Sequence, residues 1–179
     1  MNNSGNNFFR HTLYTGIVLG VVCIIYYLLI YLTNQMANQW VAWMLFPFLF
    51  VISAVAVFYF RKKYSGGFLS FSRGFNLSYL PYLYGFIMNS VFHLLYMQRI
   101  MTPDYVNKII EQTTTKLKAQ GLNQKQIDAS ATVTRFFFEH PMWGIGISLL
   151  SFALMGAIIS VILAAVARKE NEKIAFEDI

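Results

Sequence analysis

Four stretches of this chain are dominated by apolar residues and contain no Asp, Glu, Lys or Arg, over about residues 12–33, 40–60, 75–97 and 142–167. At a rise of 1.5 Å per residue, a helix of about twenty residues spans about 30 Å, the thickness of bilayer hydrocarbon. Each stretch therefore predicts a transmembrane helix. The segment between the last two, about 98–140, has a different pattern. Charges of both signs enter it, and its apolar residues become periodic. Tyr105, Val106, Ile109, Ile110, Thr113 and Leu117 fall on one helical face. Two short amphipathic helices are predicted here. The fold class is an all-α membrane protein: four transmembrane helices plus two short amphipathic helices between spans three and four, in a single integral membrane domain over residues 1–179.

Local signals place the boundaries. Gly66 and Gly67 break the chain after Arg61, Lys62 and Lys63, and Ser70 can cap the next helix. Phe68, Leu69, Phe71 and Phe75, with Arg73, predict a turn lying in the membrane interface. Thr102 and Pro103 read as an N-cap followed by Pro at the first helical position. Gly121 ends that helix, and Asn123 with Gln126 matches a capping box opening the second. Pro141 can start the last span. Pro47 predicts a local bend in span two, and Pro81 a kink in span three. Gly16 and Gly20 form a small-xxx-small pair, and Gly156, Ser160 and Ala164 form a longer and better seam for helix packing.

Composition agrees with a chain solvated by lipid. Hydrophobic residues make up 56% of the 179 and charged residues only 12%, about half the usual share of a soluble domain. The net charge is +6. Its placement argues against nucleic-acid binding, because half of the 14 Lys and Arg stand at the ends of apolar stretches: Arg10, Arg61, Lys62, Lys63, Arg99, Arg168 and Lys169. The single cysteine, Cys23, excludes an intrachain disulfide and reads as packing. The first apolar stretch is longer than a signal-peptide core and reads as an uncleaved span.

Charge also sets orientation. Arg10 flanks span one; Arg61, Lys62, Lys63 and Arg73 lie between spans two and three; Arg168, Lys169 and Lys173 follow span four. With four spans these flanks share a side, so the positive-inside rule puts both termini in the cytoplasm and the segment 98–140 outside. The tail to Ile179 is short and charged, and is expected to fray.

Catalytic chemistry finds little support. No phosphate loop, nucleotide-binding glycine fingerprint, Cys/His metal spacing or nucleophile elbow is present, and every acidic residue lies from Asp104 onward. No catalytic, cofactor-binding or metal-ligating residue is therefore assigned, and no cofactor is expected. The candidate site is a polar face on span three. Asn89 and His93 are one helical turn apart, and Tyr82 and Tyr96 extend that face. Polar groups at membrane depth face other helices or water. They can line a ligand site, with His93 as a titratable group, or they can hydrogen-bond between helices and fix the bundle. The second reading is the stronger, since His93 is about a turn from the end of the span. His11 and His140 flank spans one and four and are expected to be solvated or interfacial.

The order of parts carries a family resemblance. Tyr59–Tyr64 forms a basic stop. The junction Gly66–Phe75 reads Gly-Gly-Phe-Leu-Ser-Phe-Ser-Arg-Gly-Phe, Pro103-Asp104-Tyr105 follows span three, and Gly156-Ala-Ile-Ile-Ser160 leads to Lys169. In these features the chain resembles, over about residues 8–170, small bacterial membrane proteins grouped as domain of unknown function 4199. The resemblance implies four spans and a location in the inner (plasma) membrane of Gram-negative bacteria, and no activity. The expected function is a non-enzymatic accessory, scaffold or interaction component. The lipid bilayer is its environment, and another membrane protein or a second copy its partner. The alternative is a small oligomeric transporter or channel using the polar face of span three.

Overall fold

The computed structural model describes residues 3–97, 99 and 102–169, without the side chains of Asn3, Ser4, Gln39, Tyr96 and Met97. The described residues are almost all helical. Helix α1 spans Asn3–Leu32 and α2 spans Gln39–Trp43; α3 (Leu45–Tyr64) and α4 (Phe71–Phe92) follow. A π-helical turn occupies His93–Met97. Helices α5 (Pro103–Ala119) and α6 (Gln124–Glu139) form a hairpin, and α7 spans Pro141–Ala167.

The four long helices alternate in direction. At one end Phe8 meets Phe60 edge-on at 5.9 Å, and Leu69 exchanges both backbone hydrogen bonds with Lys169, at 2.8 and 3.0 Å. Midway, Ser53 Oγ donates to the Tyr82 hydroxyl at 3.0 Å, and Gly156 lies against the same ring. At the other end Tyr27 packs edge-on against His93 and Phe86 packs against Phe152. These pairs require α1 and α4 to run one way and α3 and α7 the other. The flanks that hold Arg10, Arg61, Lys62, Lys63, Arg73, Arg168 and Lys169 thus gather at one end, and the hairpin stands at the other.

Glycine decides the closest approach. A Cβ added at Gly16 would sit 2.6 Å from Tyr84 Cβ and 3.1 Å from the Pro81 carbonyl, and one at Gly85 would sit 3.1 Å from the Gly16 carbonyl. The two backbones are in contact, which only a missing side chain permits. Gly156, Ser160 and Ala164 are buried in the same way on α7, with Ala164 against Gly74. Both small-residue seams are used, not only the longer one.

Helix α4 differs from the other three. Gly5–Leu32, Trp40–Tyr64 and Pro141–Ala167 are long and apolar enough to cross a membrane, three segments and not the expected four. Asn76, Ser78, Pro81, Asn89, Ser90 and three tyrosines dilute the apolar content of α4. Its position accounts for this. It packs chiefly against α1 and α7, and of its 22 residues only Phe71, Ser72, Asn76, Ile87 and Val91 are exposed. A helix wrapped in protein needs packing and hydrogen-bond partners more than a lipophilic surface.

Several local expectations are also corrected. Helix α1 already includes residues well before Thr12. Span two is interrupted at Met44, between α2 and α3, and Pro47 lies in the first turn of α3, where its missing N–H would have had no helical partner. The expected interfacial turn at residues 68–75 is instead split. Leu69 is buried and paired with Lys169, and from Phe71 the chain is already helix, capped by Ser70, whose side chain accepts from Arg73 N–H. The caps at Thr102 and Asn123 form as expected, the latter with both bonds of its box. Lys173 and the rest of the tail beyond Lys169 lie outside the described residues.

Candidate functional site

Between the basic end and the middle, the bundle is filled. Val57, Phe60, Leu69, Leu77 and Ala167 form one buried layer. Above it lie Leu19, Cys23, Leu49, Tyr82, Ile159 and Leu163. Beyond this second layer the helices separate around an open cavity of about 610 Å³. Its floor is Cys23, Phe86 and Phe152, and Leu45 flanks it. Its walls are Tyr26, Tyr27 and Ile30 of α1; Ala42 of α2; Asn89 and Ser90 of α4 with His93; and Gly144, Ile145 and Ser148 of α7. Gln35 and Met36, and Phe137, Phe138, Glu139 and Pro141, complete it near the hairpin.

Neighbouring contacts hold the walls in place. The Tyr26 hydroxyl donates to the Val41 carbonyl, which ties α1 to α2. The Tyr27 ring stands edge-on to His93, centroids 5.6 Å apart. The connection between α1 and α2 turns at Asn34, whose φ of +54° is one that Asn tolerates. The hairpin holds this connection down: Lys108 Nζ donates to Asn34 Oδ1 and Lys116 Nζ to the Ala37 carbonyl, both at 3.0 Å. Tyr105 adds a ring contact with Tyr31 at 4.8 Å. Around the same end the large side chains of Trp40, Trp43, Met142 and Trp143 are exposed.

The polar face expected on span three is divided by the fold. Asn89 and His93 come together on the cavity wall. Tyr82 does not join them; it is 3% exposed in the filled layer below, with its hydroxyl bonded to Ser53. The Tyr96 side chain lies outside the described residues. His11, expected to be solvated or interfacial, is half-buried: Nε2 lies 3.0 Å from the Ala56 carbonyl and the ring packs against Tyr59 and Phe60. His140 is exposed at the end of α6, beside Phe136. Arg73 lies over the Phe60 ring.

Sequence reasoning missed Ser90, Gln35, Glu139 and the π-helical turn that starts at His93. The sequence signal was present in pieces. Asn89, Ser90 and His93 form a polar cluster at helical spacing, and the Gly16/Gly85 contact aligns it with Tyr26 and Tyr27. Glu139 is the last residue of α6. π-turns are rare and concentrate at functional sites.

Chemically, the site offers an amide, hydroxyls, an imidazole and one carboxylate around aromatic and apolar surface. A pocket of this size and character encloses a small guest by contact and orients it with a few polar groups. Among the described residues no three His, Cys, Asp or Glu side chains are grouped to hold a metal. No curated protein and no solved structure matches the chain. A family of unknown function, DUF4199, matches over residues 14–169. With nearly all of its length inside that match, the chain belongs to the DUF4199 family.

Proposed function

We propose that this chain is a non-enzymatic, multi-pass protein of the bacterial inner membrane. In this reading it works as a binding and interaction component whose working part is the cavity beneath the α5–α6 hairpin. Three helices carry the lipid-facing surface. Helix α4 makes the fourth crossing inside their shelter, which accounts for its polar content. The basic end is cytoplasmic with both termini, and the hairpin and cavity lie outside. Exposed Trp40, Trp43 and Trp143 then sit at the outer headgroup level, where tryptophan is enriched.

The observation that carries this reading is that the cavity is blind. Two buried layers fill the bundle below it, so a guest can enter and stay but has no route through one chain. That favours binding over transport. A transporter would need a path between subunits, and His93→Ala would then change solute flux in proteoliposomes.

Native mass spectrometry after extraction in mild detergent tests the proposal. The expected result is a bound guest in stoichiometric amount that Ala42→Trp, which fills the cavity from α2, removes. Identical spectra for the wild type and a folded Ala42→Trp variant would overturn it. A reporter fused near Gly121 and found in the cytoplasm would overturn the orientation.

A further inference from the structure

The lining of the cavity carries more information than its size. Its deep part is apolar, with Cys23, Leu45, Phe86 and Phe152. Its outer part collects Gln35, Asn89, Ser90, His93 and Glu139. A guest matching both parts is an amphiphile with one apolar tail and a compact polar head. About 610 Å³ lies in the range that encloses a single drug-sized molecule.

Charge narrows the head. Among the described residues Glu139 is the only acidic residue of the lining, and none of them that line it is Lys or Arg. No ion pair to the Glu139 carboxylate is made among the described residues. The hairpin lysines Lys108 and Lys116 are instead spent on Asn34 and the Ala37 carbonyl. An anionic head would meet the Glu139 carboxylate at close range and be repelled. A cationic head would gain a charged hydrogen-bond acceptor. It would also find the aromatic rings of Tyr26, Tyr27, Phe137 and Phe138, whose faces attract ammonium groups. The amide of Asn89 and the Gln35 side chain can accept the remaining N–H donors.

We propose that the cavity binds a single-chain amphiphile with a protonated amine head. The ammonium lies at Glu139, and the tail runs down between α1, α4 and α7 to Cys23 and Phe152. This rests on the binding reading above and names its ligand class. The π-turn starting at His93 is the second, independent mark of the site. It interrupts regular α-helix one turn beyond Asn89, within the polar part of the wall.

The test uses the full chain in phosphatidylcholine liposomes at neutral pH. Two photoactivatable probes carry the same diazirine on a sixteen-carbon chain: one ends in a primary amine, the other in a carboxylate. Labelled positions are mapped by mass spectrometry. The amine is expected to label the Cys23–Ile30 and Phe86–His93 stretches at least tenfold more than the carboxylate. Glu139→Gln is expected to erase most of that preference, and Glu139→Asp to keep part of it. Glu139 is exposed, so both variants should fold, which circular dichroism checks. Ala42→Trp should suppress labelling of these stretches by both probes. Equal labelling by the two probes, or a preference untouched by Glu139→Gln, overturns the amine head while the binding reading survives. Labelling of these stretches that ignores Ala42→Trp overturns both. Competition by lysophosphatidylethanolamine assigns the amine to a lipid headgroup, and competition only by a free long-chain amine assigns it to a non-lipid source; either result supports the proposal.

Discussion

The two ends of the bundle solve different problems with similar residues. At the basic end aromatic rings and cations close the structure. Phe60 is fully buried against Phe8, His11 and Tyr64 and has Arg73 over its face. Arg61 donates to the Ala167 carbonyl at 3.1 Å, and Lys169 lies over Phe68 while its backbone pairs with Leu69. At the hairpin end aromatic rings line space instead of filling it. Tyr26, Tyr27, Phe137 and Phe138 surround a cavity, and the contacts across the connection are a few hydrogen bonds to exposed groups. The difference teaches where to look for each property. Stability should be concentrated at the basic end and in the glycine seam, and binding at the hairpin end, where substitution is cheap.

That division can be broken by mutation. The largest effect is expected for Phe60→Ala, which empties a fully buried ring site and should cost about 3 kcal/mol. Reversible unfolding in mixed micelles measures it, and a loss below that of any cavity substitution would reverse the comparison. Gly16→Leu comes next. It forces α1 off α4 at the 2.6 Å approach and should cost about 1–3 kcal/mol, read as a lower thermal midpoint. Tyr82→Phe removes one buried interhelical hydrogen bond. A bond of this kind in a membrane bundle is worth about 0.6 kcal/mol, so the shift should be small and the helical signature unchanged. Asn89→Leu should alter stability least, by under about 0.5 kcal/mol, because no hydrogen bond holds its amide among the described residues. It sharpens the comparison if it nonetheless weakens guest binding in native mass spectra.

Much of the fold was legible because lipid demands simple patterns. Uncharged runs between basic stops marked α1, α3 and α7, and Gly66–Gly67, Thr102–Pro103, Gly121 and Asn123–Gln126 marked breaks and caps that form as read. Less legible was α4. Its surroundings are protein, so its sequence obeys packing and not hydropathy, and an apolar count undervalues it. The short break at Met44 between α2 and α3 was hidden because residues on both sides are equally apolar. The site was half legible. Helical spacing joined Asn89 to His93, but the same spacing joined Tyr82, which ends in a dry seam. No spacing along one helix could bring in Glu139, which reaches the cavity only through the fold of the hairpin.

The central place of α4 has a consequence for how the molecule is made. Its two main neighbours are the first long helix of the chain and the last. A ribosome delivers α1 before α4 and α7 only after it. During the interval one flank of α4, with buried Ser78 and Tyr82, has no permanent shelter. The expected outcome is that nascent chains arrested before residue 140 hold α4 loosely, with Tyr82 and Ser78 open to water-soluble or translocon-bound cross-linkers, and that this access closes once α7 has been released.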